Sequence, residues 1–424
     1  SYYKENYERY DEDRKLNTQN WHTFTEDFEQ NPYWIQNRIQ SKDARIRLLL
    51  SLSANLKVTD WLTLQARGNL DYSADKLRQK FYASTATALC GMNGRYIEMD
   101  YQETQMYGDV MAMVKKQLND FTLDVAIGGS INDRITNSTR IDSKNASLKY
   151  ANVFNLANIV MSSSASIDQK IDAHYQLQSV FATAQIGYKE GVFLDLTARN
   201  DWSSTLPKKN NSFFYPSASL SWVFSDFMRS IDHKLPSWIT FAKLRVSAAQ
   251  VGKDPAPYNL YNVRKYQFEM GNRKPINNTI KLNANLKPEI KTSYEVGVDM
   301  KFLDNRLGFD FTYYYNTTKN QAMLVDASSP WTQQWVNAGK INNTGVEFML
   351  YGTPVKTRDF QFDITANLAH NRSTVKELAD GVSRVYFAGD SNMPVKVGAV
   401  KGGKLGDIFA NNLMQRDAQG RVII

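Results

Sequence analysis

The stretch Asn285–Gln321, NLKPEIKTSYEVGVDMKFLDNRLGFDFTYYYNTTKNQ, decides the fold. From Tyr294 the apolar side chains fall on every second position: Tyr294, Val296, Val298, Met300 and Phe302, with Glu295, Gly297, Asp299 and Lys301 between them. A period of two places one set on each face of a strand. After Leu303-Asp304-Asn305-Arg306 the alternation resumes as Leu307, Phe309, Phe311, Tyr313 and Tyr315. Two alternating strands joined by an Asp/Asn turn predict a β-hairpin. Each strand runs to about ten residues, longer than most strands of soluble proteins and matched to a tilted strand crossing a bilayer.

Working outward, the same alternation predicts five more hairpins. Ile46 to Leu56 pairs with Leu62 to Tyr72, Gly108 to Leu118 with Phe121 to Gly129, and Val180 to Tyr188 with Val192 to Ala198. Phe214 to Phe224 pairs with Ala242 to Ala248, and Thr344 to Leu350 with Phe360 to Leu368. About twelve strands are thus expected between residues 45 and 371, an even number as up-and-down pairing requires. The segments Ser73 to Gln105 and Ile131 to Gln176 carry little apolar periodicity and read as long connections, and the first forty residues read as loop with local helix or strand around Asn31-Pro-Tyr-Trp34. Short and long connections alternate, as do the periplasmic turns and extracellular loops of outer-membrane barrels.

Composition narrows the class. The chain has 424 residues, 42% of them hydrophobic and 12% aromatic, with a mean hydropathy of −0.49. No run is apolar for long enough to make a transmembrane helix, but a barrel with a polar lumen keeps its hydropathy low. The net charge of +8 comes from scattered residues, with pairs such as Lys115-Lys116 and Lys208-Lys209 but no basic arm. Nucleic acid is therefore not an expected partner, since phosphate binding needs a concentrated patch. Exposed cations would face solvent or the phosphates of lipopolysaccharide. Cys90 is the only cysteine, which excludes an intrachain disulfide and a cysteine metal cluster. The opening SYYKENYERYDEDRK lacks the apolar core of a signal peptide, so the sequence reads as a processed chain or a fragment.

Nothing in the sequence points to an enzyme. Gly398 to Leu405, GAVKGGKL, approaches a phosphate-binding loop, but Leu405 stands where a hydroxyl would hold magnesium. His22, His174, His233 and His370 lack metal-ligand spacing, Asp417 to Gly420 has too few carboxylates for a calcium loop, and no nucleophile motif appears. The expected sets of catalytic, cofactor-binding and metal residues are therefore empty, and no substrate-binding residue is legible. Trp331 and Trp335 in PWTQQW are read as packing a loop against the rim, with ligand or partner contact as the alternative.

Alternation alone does not say which face is wet. Strand length, connection asymmetry and aromatic strand ends favour a lipid-facing apolar side, which turns Arg67, Asp124, Lys243, Arg245, Glu295, Asp310 and Asp363 to the lumen. The run Tyr313 to Tyr315 is assigned to the interfacial girdle.

The motif N-L-K-P-E…S-Y-E-x-G followed by N-R-L-x-x-D-x-T-Y-Y resembles the barrel of SusC/RagA-type TonB-dependent receptors, outer-membrane nutrient importers of Bacteroidetes. RNDWSSTLPKKNNSFFYPSASLSWVFSD (Arg199–Asp226), AKLRVSAAQVG from Ala242 and NAGKINNTGVEFMLYGTPVKT from Asn337 resemble it too. The resemblance implies an all-β, transmembrane, antiparallel up-and-down barrel of about 22 strands. Residues 1–424 would supply part of it, with the N-terminal plug and the C-terminal closing strands outside this sequence. It further implies import of oligosaccharides or peptides with a SusD-like surface lipoprotein, driven by TonB with ExbB and ExbD through the plug, and no covalent chemistry. The alternatives are a TonB-dependent siderophore or cobalamin receptor, and a non-transporting structural or adhesive surface barrel.

Overall fold

In the computed structural model the alternating segments pair, through their backbones, into one continuous antiparallel sheet. The structure describes residues 2–21, 30–144, 148–160, 166–261, 265–269, 272–276, 278–337, 339–379, 381–388, 395–410, 419 and 421. The twelve strands are β1 (Ile39–Lys57), β2 (Leu62–Phe81), β3 (Arg95–Leu118), β4 (Phe121–Asp142), β5 (Ser166–Tyr188) and β6 (Val192–Ser203), followed by β7 (Ser212–Val223), β8 (Ile239–Lys253), β9 (Glu289–Phe302), β10 (Leu307–Lys319), β11 (Lys340–Lys356) and β12 (Gln361–Glu377). Each strand neighbours the next in sequence, so the order in the sheet is the order in the chain. The deciding hairpin is β9–β10, with Val296 opposite Tyr313 and Val298 opposite Phe311. Asp304 and Asn305 at its turn take positive φ, the conformation for which Asp and Asn are favoured.

All six expected hairpins are present, but several strands are longer than the alternation indicated. β1 to β5 have 19 to 24 residues, whereas β6 and β7 have 12. Ser73 to Gln105 is therefore not one long connection, because β2 continues to Phe81 and β3 begins at Arg95. Likewise β4 continues to Asp142 and β5 begins at Ser166. The cause is physical: the added lengths are predominantly polar, with apolar residues such as Tyr96, Ile97 and Ile141 scattered over both faces, so the apolar period disappears while the backbone ladder persists. Cross-strand ion pairs replace greasy pairs there, with Arg45 on Asp75 and Arg47 on Asp71.

Two further expectations shift locally. Phe224 does not extend its strand, because a short helix α2 (Phe224–Ser230) starts there and folds Phe227 back toward Trp222 and Tyr188. Near the N-terminus, Asn31-Pro-Tyr-Trp34 opens α1 (Pro32–Arg38), with the Asn31 side chain accepting the Tyr33 N–H and Pro at the first helical position. Trp34 is completely buried and donates its indole N–H to Thr85 at 3.1 Å, which fastens α1 to the β2–β3 loop.

No apolar core lies within the sheet. The buried hydrophobic clusters among the described residues sit in or beside the long connections: Tyr96, Leu148 and Ile159; Leu206, Phe213 and Leu286; and Met323, Val325 and Val385. The strands instead present their apolar rows outward, with Leu52 80%, Val110 63%, Ile127 61% and Leu368 65% exposed. Contiguous apolar surface on this scale is not left to water, and hydrocarbon is its natural solvent. Rings mark one border of the band, beside the short turns. Phe121 lies 4.8 Å from Tyr188, Trp222 5.1 Å from Phe224, Trp238 5.7 Å from Phe302, and Phe309 6.2 Å from Phe348. Tyr294, Tyr313 and Tyr315 lie on the same face toward the opposite border. Tyr314 departs from the girdle, because its place in the alternation turns it to the polar face, where its hydroxyl meets Asn371 at 3.2 Å.

Placing a cation on the apolar face tests this orientation. Val296→Arg, near mid-band, is expected to cost about 2–4 kcal/mol and lower the heat-modifiable, membrane-assembled fraction, while Asp363→Arg on the polar face leaves assembly near wild type. Equal losses for both would reverse the assignment of faces.

Candidate functional site: the polar face of the wall

Several charges of the polar face are held in bonded units. Register places Arg67 opposite Asp109, and the guanidinium Nε lies 3.0 Å from a carboxylate that is 4% exposed. Along the same row are Ser130 on β4, Ser179 on β5 and Asp201 on β6. Arg199 holds Asp201 at 2.7 Å and Ser179 Oγ at 2.7 Å, and the Tyr215 hydroxyl donates to the other oxygen of Asp201. On the far side Arg245 donates to both oxygens of Asp310, at 2.6 and 3.0 Å, and to Thr312 Oγ1 at 2.7 Å. Bidentate pairing of this kind fixes direction as well as charge.

The Arg245 bridge explains a glycine. Arg245 sits on β8 and Asp310 on β10, so the side chain must cross β9, and the residue beneath it is Gly297. A Cβ at Gly297 would collide with the guanidinium and its stem. The glycine of S-Y-E-x-G is thus the gap through which the arginine of AKLRVS reaches its carboxylate. Gly345 does the same for Tyr314, which crosses β11 to Asn371 on β12.

The other recurrent motifs are staples at the upper rim. Leu286 of N-L-K-P-E is completely buried against Leu206 and Phe213, and the Asn210 amide donates to the carbonyls of Asn285 and Leu286 at 3.3 and 3.1 Å. Asn337 exchanges hydrogen bonds with the Lys287 backbone at 2.7 and 2.9 Å. Asp254 accepts the hydroxyls of Ser203 and Thr205, the latter at 3.1 Å, which ties the segment after β6 to the segment after β8.

Of the residues expected in the lumen, Arg67, Arg245 and Asp310 form these bridges. Asp124 faces Lys115 at 3.7 Å, Asp363 accepts from Thr353 and Gln361 at 2.6 and 2.8 Å, and Lys243 and Glu295 share the polar face by register. Asp109, Arg199 and Asp201 belong to the set as well, although the alternation did not single them out. Arg67 meets Asp109 on the adjacent strand, a pairing visible once register is known, whereas Arg199 and Asp201 lie two residues apart on one face of β6.

The remaining motifs fall into structural places. GAVKGGKL is the end of one loop strand and the turn after it, with the Gly402 N–H donating to Val375 and the Lys404 N–H to Asp407, and it lacks the helix a phosphate loop requires. Trp335 lies in a loop strand opposite Leu324, half-buried like Trp331. His174 binds Asp133 at 2.7 Å, while His22 and Asp417 lie outside the described residues. Cys90 is buried, and burial pushes its thiol up to about 11, so it stays protonated and unreactive at neutral pH.

Above the membrane band, Asp142 anchors the strand tops. Burial alone would raise its carboxyl, but Arg95 on both oxygens at 2.8 Å, the Lys144 N–H and Arg140 outweigh burial and hold it below its ordinary value of 3.8.

Two expectations follow from this geometry. Gly297→Val is expected to destabilise the assembled wall by about 1–3 kcal/mol, and adding Arg245→Ala should recover part of that loss, since the clash disappears with the guanidinium. Urea midpoints of the heat-modifiable form measure both, and strictly additive losses would refute the crossing. For Asp142 the sign is that of a depressed carboxylate: its contribution is complete above 3.8 and disappears as pH falls through the lower folded value. Protection factors in residues 148–160, taken against the intrinsic exchange rate at each pH, should therefore fall on acidification in the wild type, and in Asp142→Asn should be low already at neutral pH.

Comparison with known proteins accords with this geometry. The profile of the family described as TonB dependent receptor-like, beta-barrel, matches residues 1–394. TonB-dependent receptor P3 of Formosa agariphila is 27% identical over 216 residues, covering 49% of this chain and 21% of that protein. TonB-dependent receptor SusC of Bacteroides thetaiotaomicron is 27% identical over 229 residues, covering 50% of this chain and 22% of that protein. The aligned stretches therefore span about a fifth of the curated relatives' length. A structure of the RagAB peptide transporter superposes with a TM-score of 0.74 at 18% identity, covering 90% of this chain and 42% of that one, a likeness of fold. Proteins of this family are β-barrels of the outer membrane, and by its profile match, its outward apolar band and its polar inner face, the chain belongs to the TonB dependent receptor-like β-barrel family.

Proposed function

We propose that the chain is part of the wall of a SusC-like importer that takes up oligosaccharides or peptides across the outer membrane. The observation that carries this reading is the polar face itself: a wall lined by hydrogen-bonded arginine–carboxylate units suits a wet passage or a polar plug. The similarity to SusC and the fold shared with the RagAB peptide transporter support the nutrient class.

In this reading the twelve strands are one arc of the barrel, and the plug and the remaining strands are supplied by sequence flanking residues 1–424. A SusD-like lipoprotein closes the extracellular mouth, and TonB with ExbB and ExbD moves the plug. Substrate binds between lid and plug and passes along the polar face once the plug is displaced. The wall binds, orients and excludes lipid, and makes or breaks no covalent bond.

Deleting the full-length gene and measuring growth and uptake on panels of glycans and peptides tests the proposal. Loss of uptake for one polymer class, reproduced by deleting the TonB-contacting segment, is the expected outcome. Unchanged uptake of every glycan and peptide, with a defect confined to iron-chelate or cobalamin supply, would overturn it.

A further inference from the structure

Beyond the outer end of β12 the chain folds a three-stranded loop sheet from Arg384–Ala388, Val395–Val400 and Asp407–Ala410. It is tied to the wall, since the Gly402 N–H donates to the Val375 carbonyl at 2.8 Å and the Val375 N–H to the Gly403 carbonyl at 2.9 Å. Register gives this sheet two unlike faces. Val385 and Ala399, opposite each other, are 5% and 1% exposed, and Val385 packs against Met323 and Val325. The other face carries Arg384, Tyr386, Lys396 and Phe409.

On that face each cation is held by an aromatic ring. Arg384 lies 4.6 Å from the Phe409 ring centre and 5.7 Å from that of Tyr386, and Lys396 lies 5.0 Å from the Tyr386 centre. Arg384 also donates to the Tyr386 hydroxyl at 2.8 Å, and the two rings meet edge to face at 5.9 Å. Gly398, opposite Tyr386, makes the room, because a Cβ there would run into the Val385 carbonyl and crowd the Tyr386 ring. Neither cation has a carboxylate within ion-pair distance among the described residues. Asp407 shares the face, but its carboxylate accepts the Lys404 N–H at 2.8 Å in the preceding turn.

Ring contact removes side-chain freedom before a ligand arrives and leaves the charge unneutralised. The arginine fork then suits a carboxylate or sulfate, and Lys396 adds a point charge beside the same tyrosine. Charge and flat apolar surface thus alternate over one ring's reach. A chain of acidic sugars has the same alternation, with anionic groups set on stiff rings whose C–H faces are apolar. An acidic peptide holds its carboxylates on rotating stems and loses more freedom on binding.

We propose that this face binds an anionic oligosaccharide, with its carboxylate or sulfate groups on Arg384 and Lys396 and the sugar between them against Tyr386 and Phe409. The site rests on the glycan branch of the proposed importer and narrows its substrate to acidic glycans.

The test is calorimetric titration of the full-length receptor in detergent, with oligogalacturonate and chondroitin sulfate fragments as acidic probes and a neutral oligogalactan beside them. The wild type is expected to bind an acidic probe and not the galactan, and the preferred probe identifies the anion as carboxylate or sulfate. Arg384→Gln/Lys396→Gln should weaken that binding at least tenfold, while Lys42→Gln/Lys76→Gln, an equal loss of charge on β1 and β2, leaves it unchanged. Binding of neither acidic probe, or equal binding by the wild type and the Arg384/Lys396 variant, would overturn the site. Polyglutamate competing as well as the acidic sugars would overturn the glycan assignment. If the double variant does not assemble, Lys396→Gln and Tyr386→Ala replace it, each with an expected two- to fourfold loss, and no loss in either refutes the proposal. The two readings fail separately: variant-sensitive binding without uptake removes the importer and keeps the site, whereas uptake with variant-insensitive binding removes the site alone.

Discussion

Hydrocarbon offers no partner to a backbone N–H or C=O, and this constraint organises the structure. A strand crossing the membrane must satisfy every such group sideways on its neighbours, so the wall is one antiparallel sheet in which each strand pairs with the next in the chain. Once the backbone is closed off in this way, the side chains divide by the pleat alone. Alternate residues meet lipid or water, and the apolar set needs no core, only the membrane. Among the described residues, buried clusters such as Tyr96, Leu148 and Ile159 appear where the chain leaves the bilayer and again meets water.

This division governs what was legible in the sequence. Within the membrane the solvents on the two faces differ, so Val296 and Glu295 announce their positions by chemistry, and all six hairpins could be located. Above it both faces are wet, and β2 and β3 run on through Asp75, Arg78 and Glu98 with no apolar period to mark them. Tyr314 was assigned to the girdle because aromatic composition was read without its parity. The small loop sheets, such as Ala322–Asp326 with Gln333–Asn337, escaped notice because their strands are too short to establish a period.

The polar face was legible in kind but not in pairing. Arg245 and Asp310 were recognisable as inward charges, yet their bond spans a strand, and only the register of β8, β9 and β10 brings them together. Motif glycines had the same status. Gly297 was visible in the sequence as a fixed point of S-Y-E-x-G, but its reason, room for a crossing guanidinium, is a fact about three strands at once. The buried carboxylate of Asp109 was missed for a related cause, since its counterion Arg67 lies 42 positions away in the chain.

The crossing arginine also bears on how such a wall finds its alignment. A slip of one residue turns every side chain to the wrong face and is rejected by lipid at once. A slip of two restores greasy to lipid and polar to water, and solvent partition is blind to it. The Arg245 bridge is not blind, because a two-step shift would set the bulk of Glu295 or Asp299 beneath the guanidinium where Gly297 now leaves a gap. Like a key cut to one depth, it distinguishes the correct alignment from the impostor that hydrophobicity alone would accept.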